Sequence, residues 1–371
     1  MAFNPRVVVF GGTGHFGARI CRRLAREPGL ELIITSRSAE RANQLTTELH
    51  GQVAKVSGAA VDQGAPGLAD RLRELDPAVV IHTAGPYQGQ DYRVAQACID
   101  AGCHYVDLAD GREFVAGFPA LDGAAKDAGV VLVSGASTLP GISSAVVDQL
   151  RGRFHTIERI ETSIAPAHQT PRGLGTVRAV LSYCGAPFQT LRDGEWRTIH
   201  GWQDLRWQRY PSLGRRLSGA CDVPDIALFP DYVPGVRTVS FHAALEAPWE
   251  QLGLWMMASL TRIGFVRDWV KFAPGFSKMS ERFIRLGSQR GCMRVTLRGT
   301  AADGGELVHH WDLVAERNHG PEIPCTPAIV VTKQLLDGRL SKPGAIPCLG
   351  LFTVDELMAR LKAFDVTTRV N

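Results

Sequence analysis

At 371 residues the chain is longer than one hydrophobic core usually organises, and two domains are expected. A composition of 45% hydrophobic and 21% charged residues, with no long polar run, excludes a disordered or low-complexity protein. The net charge of +4 comes from 41 basic residues scattered among 37 acidic ones; without a clustered basic face, nucleic acid is not an expected partner.

In chain order, Arg6 to Phe10 is a short β-branched run ending in glycines, and Ala18 to Arg26 follows at helical spacing: strand, tight turn, helix. Strands are predicted at Leu30 to Thr35, Gln52 to Ala60, Ala78 to Thr83, His104 to Leu108 and Val130 to Ser134. Helices are predicted between them at Ser38 to Leu49, with Ser38 as the cap, Gly67 to Leu75, Asp91 to Ala101 and Phe118 to Ala128. Apolar strands alternating with amphipathic helices make a doubly wound parallel sheet of six strands, the Rossmann arrangement.

A helix from Gly141 to Leu150 follows, and then the rhythm changes. Thr156 to Ala165 and Val236 to Leu245 read as strands, and hairpins are expected around Asp193-Gly194 and around Asp303-Gly304-Gly305. This describes a second, α+β domain on a mixed or antiparallel sheet. The predicted division is 1–150 for the dinucleotide domain and 151–325 for the substrate and dimerisation domain. Residues 326–371 are expected to form helices that return to the first. Trp249 to Arg290, rich in Trp, Phe, Met and Arg, is too interrupted by charge to span a bilayer, so no stable membrane insertion is expected. It reads as a cover for the sheet or a dimer contact; a lid or apolar entrance, or a segment resting on a membrane surface, is the alternative. The eight cysteines show no C-x-x-C pair and no metal-ligand spacing, so no metal site is expected. The start lacks a charged-apolar-small leader pattern, and a cytoplasmic location is the expectation.

The chemistry concentrates in the first turn. Pyrophosphate binding needs small residues for the tight turn, for close backbone approach and for helix-on-strand packing, and Gly12, Gly14 and Gly17 fill these roles in that order. The loop Gly12, Thr13, Gly14, His15, Phe16 and Gly17 is the expected cradle. At the end of the second strand, where a carboxylate would bind a ribose hydroxyl, the chain has Thr35-Ser36-Arg37. Ser36 and a guanidinium at Arg37 suit a 2′-phosphate, which favours NADP(H) over NAD. Asp62 after the third strand is a candidate adenine contact, and Ala84, Gly85 and Pro86 form the turn expected beside the nicotinamide ribose.

Ala84-Gly85-Pro86-Tyr87, then Ala97-Cys98, His104-Tyr105-Val106-Asp107, Ala120 to Gly129, Leu139-Pro140-Gly141-Ile142 and Ser182-Tyr183-Cys184-Gly185 together resemble the ordered signatures of the saccharopine dehydrogenase-like, NADP-dependent oxidoreductases. The resemblance covers residues 6 to 190. It implies a Rossmann domain joined to an α/β substrate domain, often a homodimer, and hydride transfer to a small-molecule imine, enoyl or carbonyl group in amino-acid-derived or secondary metabolism. Amino-acid-handling members carry an acidic residue where this chain has Leu139, and other branches include trans-acting enoyl reductases of lipid and polyketide pathways. Tyr87, Asp107 and Cys184 are the candidate catalytic residues. A non-catalytic NADP(H) sensor is the competing reading.

Overall fold

The computed structural model describes residues 5–371, which fold as two compact units. The first comprises the chain up to residue 142 together with 322–360; the second comprises 143–321 with 361–371.

The first unit starts with β1 (Arg6–Phe10), α1 (Gly17–Leu24), β2 (Glu31–Ser36), α2 (Ala39–Glu48), β3 (Lys55–Ala60), α3 (Leu68–Leu75), β4 (Val79–His82), α4 (Arg93–Ala101) and β5 (His104–Asp107). These follow the predicted pattern because the inner strands β1, β2 and β4 are β-branched or aliphatic runs buried on both faces, with β3 as the half-exposed edge, while the helices turn an apolar stripe inward. Ser38 caps α2 as expected, its Oγ accepting from the Arg41 amide at 3.3 Å. The expected single helix from Phe118 to Ala128 is instead α5 (Arg112–Gly117), a 3₁₀ turn at Phe118–Leu121 and α6 (Asp122–Asp127), which lead into β6 (Val131–Ser134). Gly117 and Pro119 break the helical run there.

The second unit holds α7 (Ser143–Arg151), β7 (Thr156–Ala165), α8 (Leu174–Ser182), β8 (Pro187–Arg192), β9 (Glu195–His200), β10 (Arg206–Tyr210) and β11 (Gly214–Ala220). It continues with α9 (Pro224–Tyr232), β12 (Thr238–Ala244), α10 (Pro248–Arg262), α11 (Ala273–Phe283), β13 (Gly291–Thr300) and β14 (Glu306–Ala315). The chain then adds α12 (Glu322–Leu336), β15 (Gly344–Pro347) and α13 (Val354–Leu361) to the first unit and ends with β16 (Val366–Val370) in the second.

The first sheet is parallel in the order β15-β6-β5-β4-β1-β2-β3. Its seventh strand, β15, is absent from the sequence reading because Gly344-Ala-Ile-Pro347 is too short and too rich in Gly and Pro to show strand periodicity; pairing with β6 orders it. The second sheet runs β10-β11-β12-β7-β13-β14-β16, with β8 and β9 as a side hairpin on β12. It is mixed, because β12 and β7 are parallel while the other pairs are antiparallel. Both predicted hairpins form. Asp193 and Gly194 take φ of 54° and 89°, as a two-residue turn of this kind requires, and Asp303 Oδ1 accepts from the Gly305 amide.

Candidate cofactor site

The turn between β1 and α1 is built by exclusion of side chains. Gly11, with φ of 70°, makes the tight bend that the spacing suggested for Gly12. Gly12 is buried, and a Cβ there would stand 2.9 Å from Ile34 Cγ2 and 3.0 Å from the Val9 carbonyl oxygen. At Gly17 a Cβ would run into the Gly11 carbonyl oxygen and stand 2.7 Å from Thr83 Oγ1, so only glycine lets the start of α1 approach the turn. Gly14 is exposed, facing outward where a phosphate would meet bare backbone. Among the described residues no backbone acceptor takes the amides of Thr13, His15 or Phe16. With the start of α1 they form the donor set an anion needs.

Two threonines clamp this turn from either side. Thr35 Oγ1 donates to the Val9 carbonyl, and the Thr35 carbonyl accepts from the Gly12 amide at 3.0 Å. Thr83 Oγ1 donates to the Phe10 carbonyl at 2.7 Å. The returning helix α12 supports the loop from behind: Glu322 pairs with Arg19 at 3.2 Å, and the buried Cys325 thiol donates to the Phe16 carbonyl. Sequence alone gave no sign of this support, because 300 residues separate the partners. Arg19 also donates to the His15 carbonyl, and burial together with the neighbouring Arg19 charge holds the His15 imidazole down at about 4, so it is neutral at pH 7.

Beyond β2 the sequence candidates sit at the rim. Ser36 accepts from the Ser38 amide, and Arg37 is exposed. Arg41, exposed in the first turn of α2, brings a second guanidinium to the same stretch. Ser38-x-x-Arg41 at the helix start was the signal that could have singled it out. Asp62 is exposed and its Oδ1 accepts from the Gly64 amide, closing its own turn.

At the ends of β4, β5 and β6 the polar groups hold the backbone. Gln90 donates to the carbonyls of Ala84 and Pro86, fixing the turn through Gly85. Tyr87 is buried and its hydroxyl donates to the His82 carbonyl at 2.6 Å. His82 bonds Tyr105 through Nδ1 and Gln63 through Nε2, and burial lowers its imidazole to about 4. Asp107 is fully buried; Oδ1 accepts from the amides of Gly135 at 2.7 Å and Ala109 at 2.9 Å and from the Ser134 hydroxyl at 3.1 Å. Burial pushes its carboxyl up to about 6 against the pull of those three donors. Tyr87 and Asp107 therefore fix the turns after β4 and β6. Leu139 is buried on the turn after β6.

Cys184 belongs to the second unit, just past α8. Its buried thiol donates to the Val180 carbonyl, and burial pushes it up to about 12, far from a thiolate at neutral pH. Gly185, next to it, is required by packing: a Cβ would lie 2.5 Å from the Ala258 carbonyl oxygen on α10. Asp225, at the start of α9, is a buried carboxyl that the sequence reading missed; burial raises it to about 7. No group of three or more His, Cys, Asp or Glu side chains suited to a metal ion occurs among the described residues.

Residues 7–133 match the family described as the saccharopine dehydrogenase NADP binding domain. The whole chain superposes on saccharopine dehydrogenase (L-Glu forming) from Saccharomyces cerevisiae with a TM-score of 0.69, covering 99% of this chain and 100% of that one at 14% identity. At that identity the likeness is one of fold. An amine dehydrogenase from Mycobacterium smegmatis aligns with a TM-score of 0.49 at 14% identity, over 92% of this chain and 94% of that one. Among curated proteins, a component of the pikromycin polyketide synthase of Streptomyces venezuelae, PikAIII, is 38% identical over 87 residues, which is 21% of this chain and 6% of that protein.

Proposed function

We propose, from the match of residues 7–133 to the saccharopine dehydrogenase NADP binding domain family, that the chain is an NADP(H)-dependent oxidoreductase of small-molecule substrates. The observation that carries the reading is the β1–α1 turn, where Gly17 admits the helix start against Gly11 and Thr83 while leaving unpaired amides toward an anion. In this reading Gly12 to Gly17 hold the pyrophosphate. Ser36 and Arg37, joined by Arg41, hold the 2′-phosphate, and Ala84 to Pro86 line the nicotinamide ribose. The cofactor supplies the hydride, and the protein positions the acceptor and manages one proton.

Tyr87 acts as a positioning residue, its hydroxyl engaged by the His82 carbonyl, while Asp107 holds the turn after β6 through Oδ1 and keeps a buried Oδ2 with no hydrogen-bond partner among the described residues, which leaves it the candidate to manage the proton. Cys184 acts as a packing residue. The reducible group is an imine, enoyl or carbonyl; the apolar Leu139, where amino-acid-handling members carry an acidic residue, favours an apolar substrate over an amino acid. Assembly as a homodimer belongs to the same proposal. The test is turnover. Purified protein should oxidise NADPH with at least one member of a panel of imines, enoyl thioesters and ketones, followed by loss of the reduced nicotinamide absorbance. NADPH binding with no turnover on any member would instead support a dinucleotide sensor.

A further inference from the structure

Of the fifteen large hydrophobic side chains exposed on the described chain, ten lie between Trp249 and Leu286. On α10, Trp249, Leu252, Met256 and Ile263 fall on one helical stripe, opposite the face through Gln251 and Ala258 that packs inward. The helix thus has two apolar sides and covers only one. After Gly264 reverses the chain, Phe272, Met279 and Phe283 continue a second stripe on α11. The edge-to-face contact of Trp249 with Phe283, ring centres 6.2 Å apart, joins the two stripes. Ile263, Phe265 and Leu286 are 76%, 79% and 74% exposed, far more than a folded chain leaves to water without use.

The charge on the same segment is one-sided. From 249 to 290 there are seven basic residues and three acidic ones, and all seven, Arg262, Arg267, Lys271, Lys278, Arg282, Arg285 and Arg290, are exposed. Glu250 is turned inward toward His168. Lys278, Arg282 and Arg285 repeat at helical spacing beside the α11 stripe and are all exposed, and side chains of this kind can lay their stems on apolar surface with the charge in water. No helix is long and apolar enough to cross a bilayer among the described residues, so the face suits lying in an interface.

We propose that the outer face of α10 and α11 docks on an anionic lipid surface, with the Trp, Ile, Phe and Leu side chains in the headgroup boundary and the Arg and Lys side chains on lipid phosphates. A second copy of the chain fits the face poorly: a two-fold contact sets each patch against itself, and so brings two predominantly cationic faces together, even with Arg290 paired to Glu316 and with Glu281 on the same segment.

The test is flotation of the full chain with phosphatidylcholine vesicles and with vesicles enriched in phosphatidylglycerol. The protein floats with the anionic vesicles only, is released by high salt, and shows a blue shift in tryptophan emission as Trp249 and Trp255 leave water. Ile263→Asp with Phe265→Asp abolishes flotation, and Lys278→Glu or Arg282→Glu weakens it about fivefold or more each. All these positions are exposed, so circular-dichroism melting of the variants matches that of the parent chain. Equal flotation with both vesicle types, or unchanged flotation of the variants, overturns the proposal. So does a parent chain that ignores vesicles yet forms a dimer that the Ile263→Asp, Phe265→Asp variant loses.

Discussion

Asp107 in the parallel sheet and Asp312 in the mixed sheet are both fully buried, and they are held by opposite chemistry. Asp107 accepts at Oδ1 from neutral donors, the amides of Ala109 and Gly135 and the Ser134 hydroxyl, and its Oδ2 has no hydrogen-bond partner among the described residues. Asp312, in β14, takes a bidentate guanidinium from Arg294 on β13, at 2.6 and 2.8 Å. The strand ends of the first sheet bind one another through backbone and hydroxyl bonds and bury no cation. Their free positive charge stands at the rim, on Arg37, Arg41 and the start of α1. The second sheet pairs Arg294 with Asp312 across β13 and β14, which makes a frame, and its unit carries exposed cations on the 249–290 segment.

The largest effect that sharpens this contrast falls on the turn. Gly17→Val forces a side chain into the Gly11 carbonyl and the Thr83 hydroxyl, and NADPH affinity measured by titration drops by at least about two orders of magnitude. Retention of parental affinity would remove the turn from the site. In the frame, Asp312→Ala strands the half-buried Arg294 guanidinium and lowers unfolding stability by about 3 kcal/mol in denaturant titration, with NADPH affinity kept. A loss below about 1 kcal/mol would mean the pair is not a structural element of the sheet.

Asp107 separates the two kinds of burial by pH. Its folded carboxyl is raised to about 6, above the usual value near 4, so the folded state binds the proton more tightly. The stability contribution is fully present below about pH 4 and is lost as pH rises toward 6. Asp107→Asn, which keeps one acceptor oxygen, removes that loss. The stability of the variant relative to the parent therefore rises across that window in thermal melts, and parallel curves would contradict the assignment. Cys184→Ala is the smallest change: about 1 kcal/mol of stability or less, with no effect on turnover, because its thiol stays protonated and packed. Abolished turnover in a folded variant would return Cys184 to the chemistry.

The glycine turn, the six-strand alternation, the Ser38 cap and both hairpins were legible because each depends on residues close in sequence: a spacing of small residues, a two- or 3.6-residue period, a hydroxyl three residues before an amide. The support of the loop by Glu322 and Cys325 was not, since it joins residues 300 positions apart. Neither was β15, whose four residues become a strand only by pairing with β6. Tyr87 and Asp107 stand at strand ends, but residue type could not reveal that the Tyr87 hydroxyl is engaged by the His82 carbonyl or that Asp107 uses only one of its two oxygens. Trp249 to Arg290 was recognised as apolar and basic, yet which of its sides faces water depends on how α10 packs on the second sheet.

Whether the rim at Arg37 beside the glycine turn makes this an NADP(H) site is decided by titrating NADPH and NADH into the parent chain and into Arg37→Asp. The parent chain binds NADPH more tightly, and the substitution weakens NADPH by about 10- to 100-fold, the loss of a charge-assisted contact, with NADH little changed. Equal affinities in the parent chain, or equal losses for both nucleotides in the variant, would contradict the NADP(H) assignment.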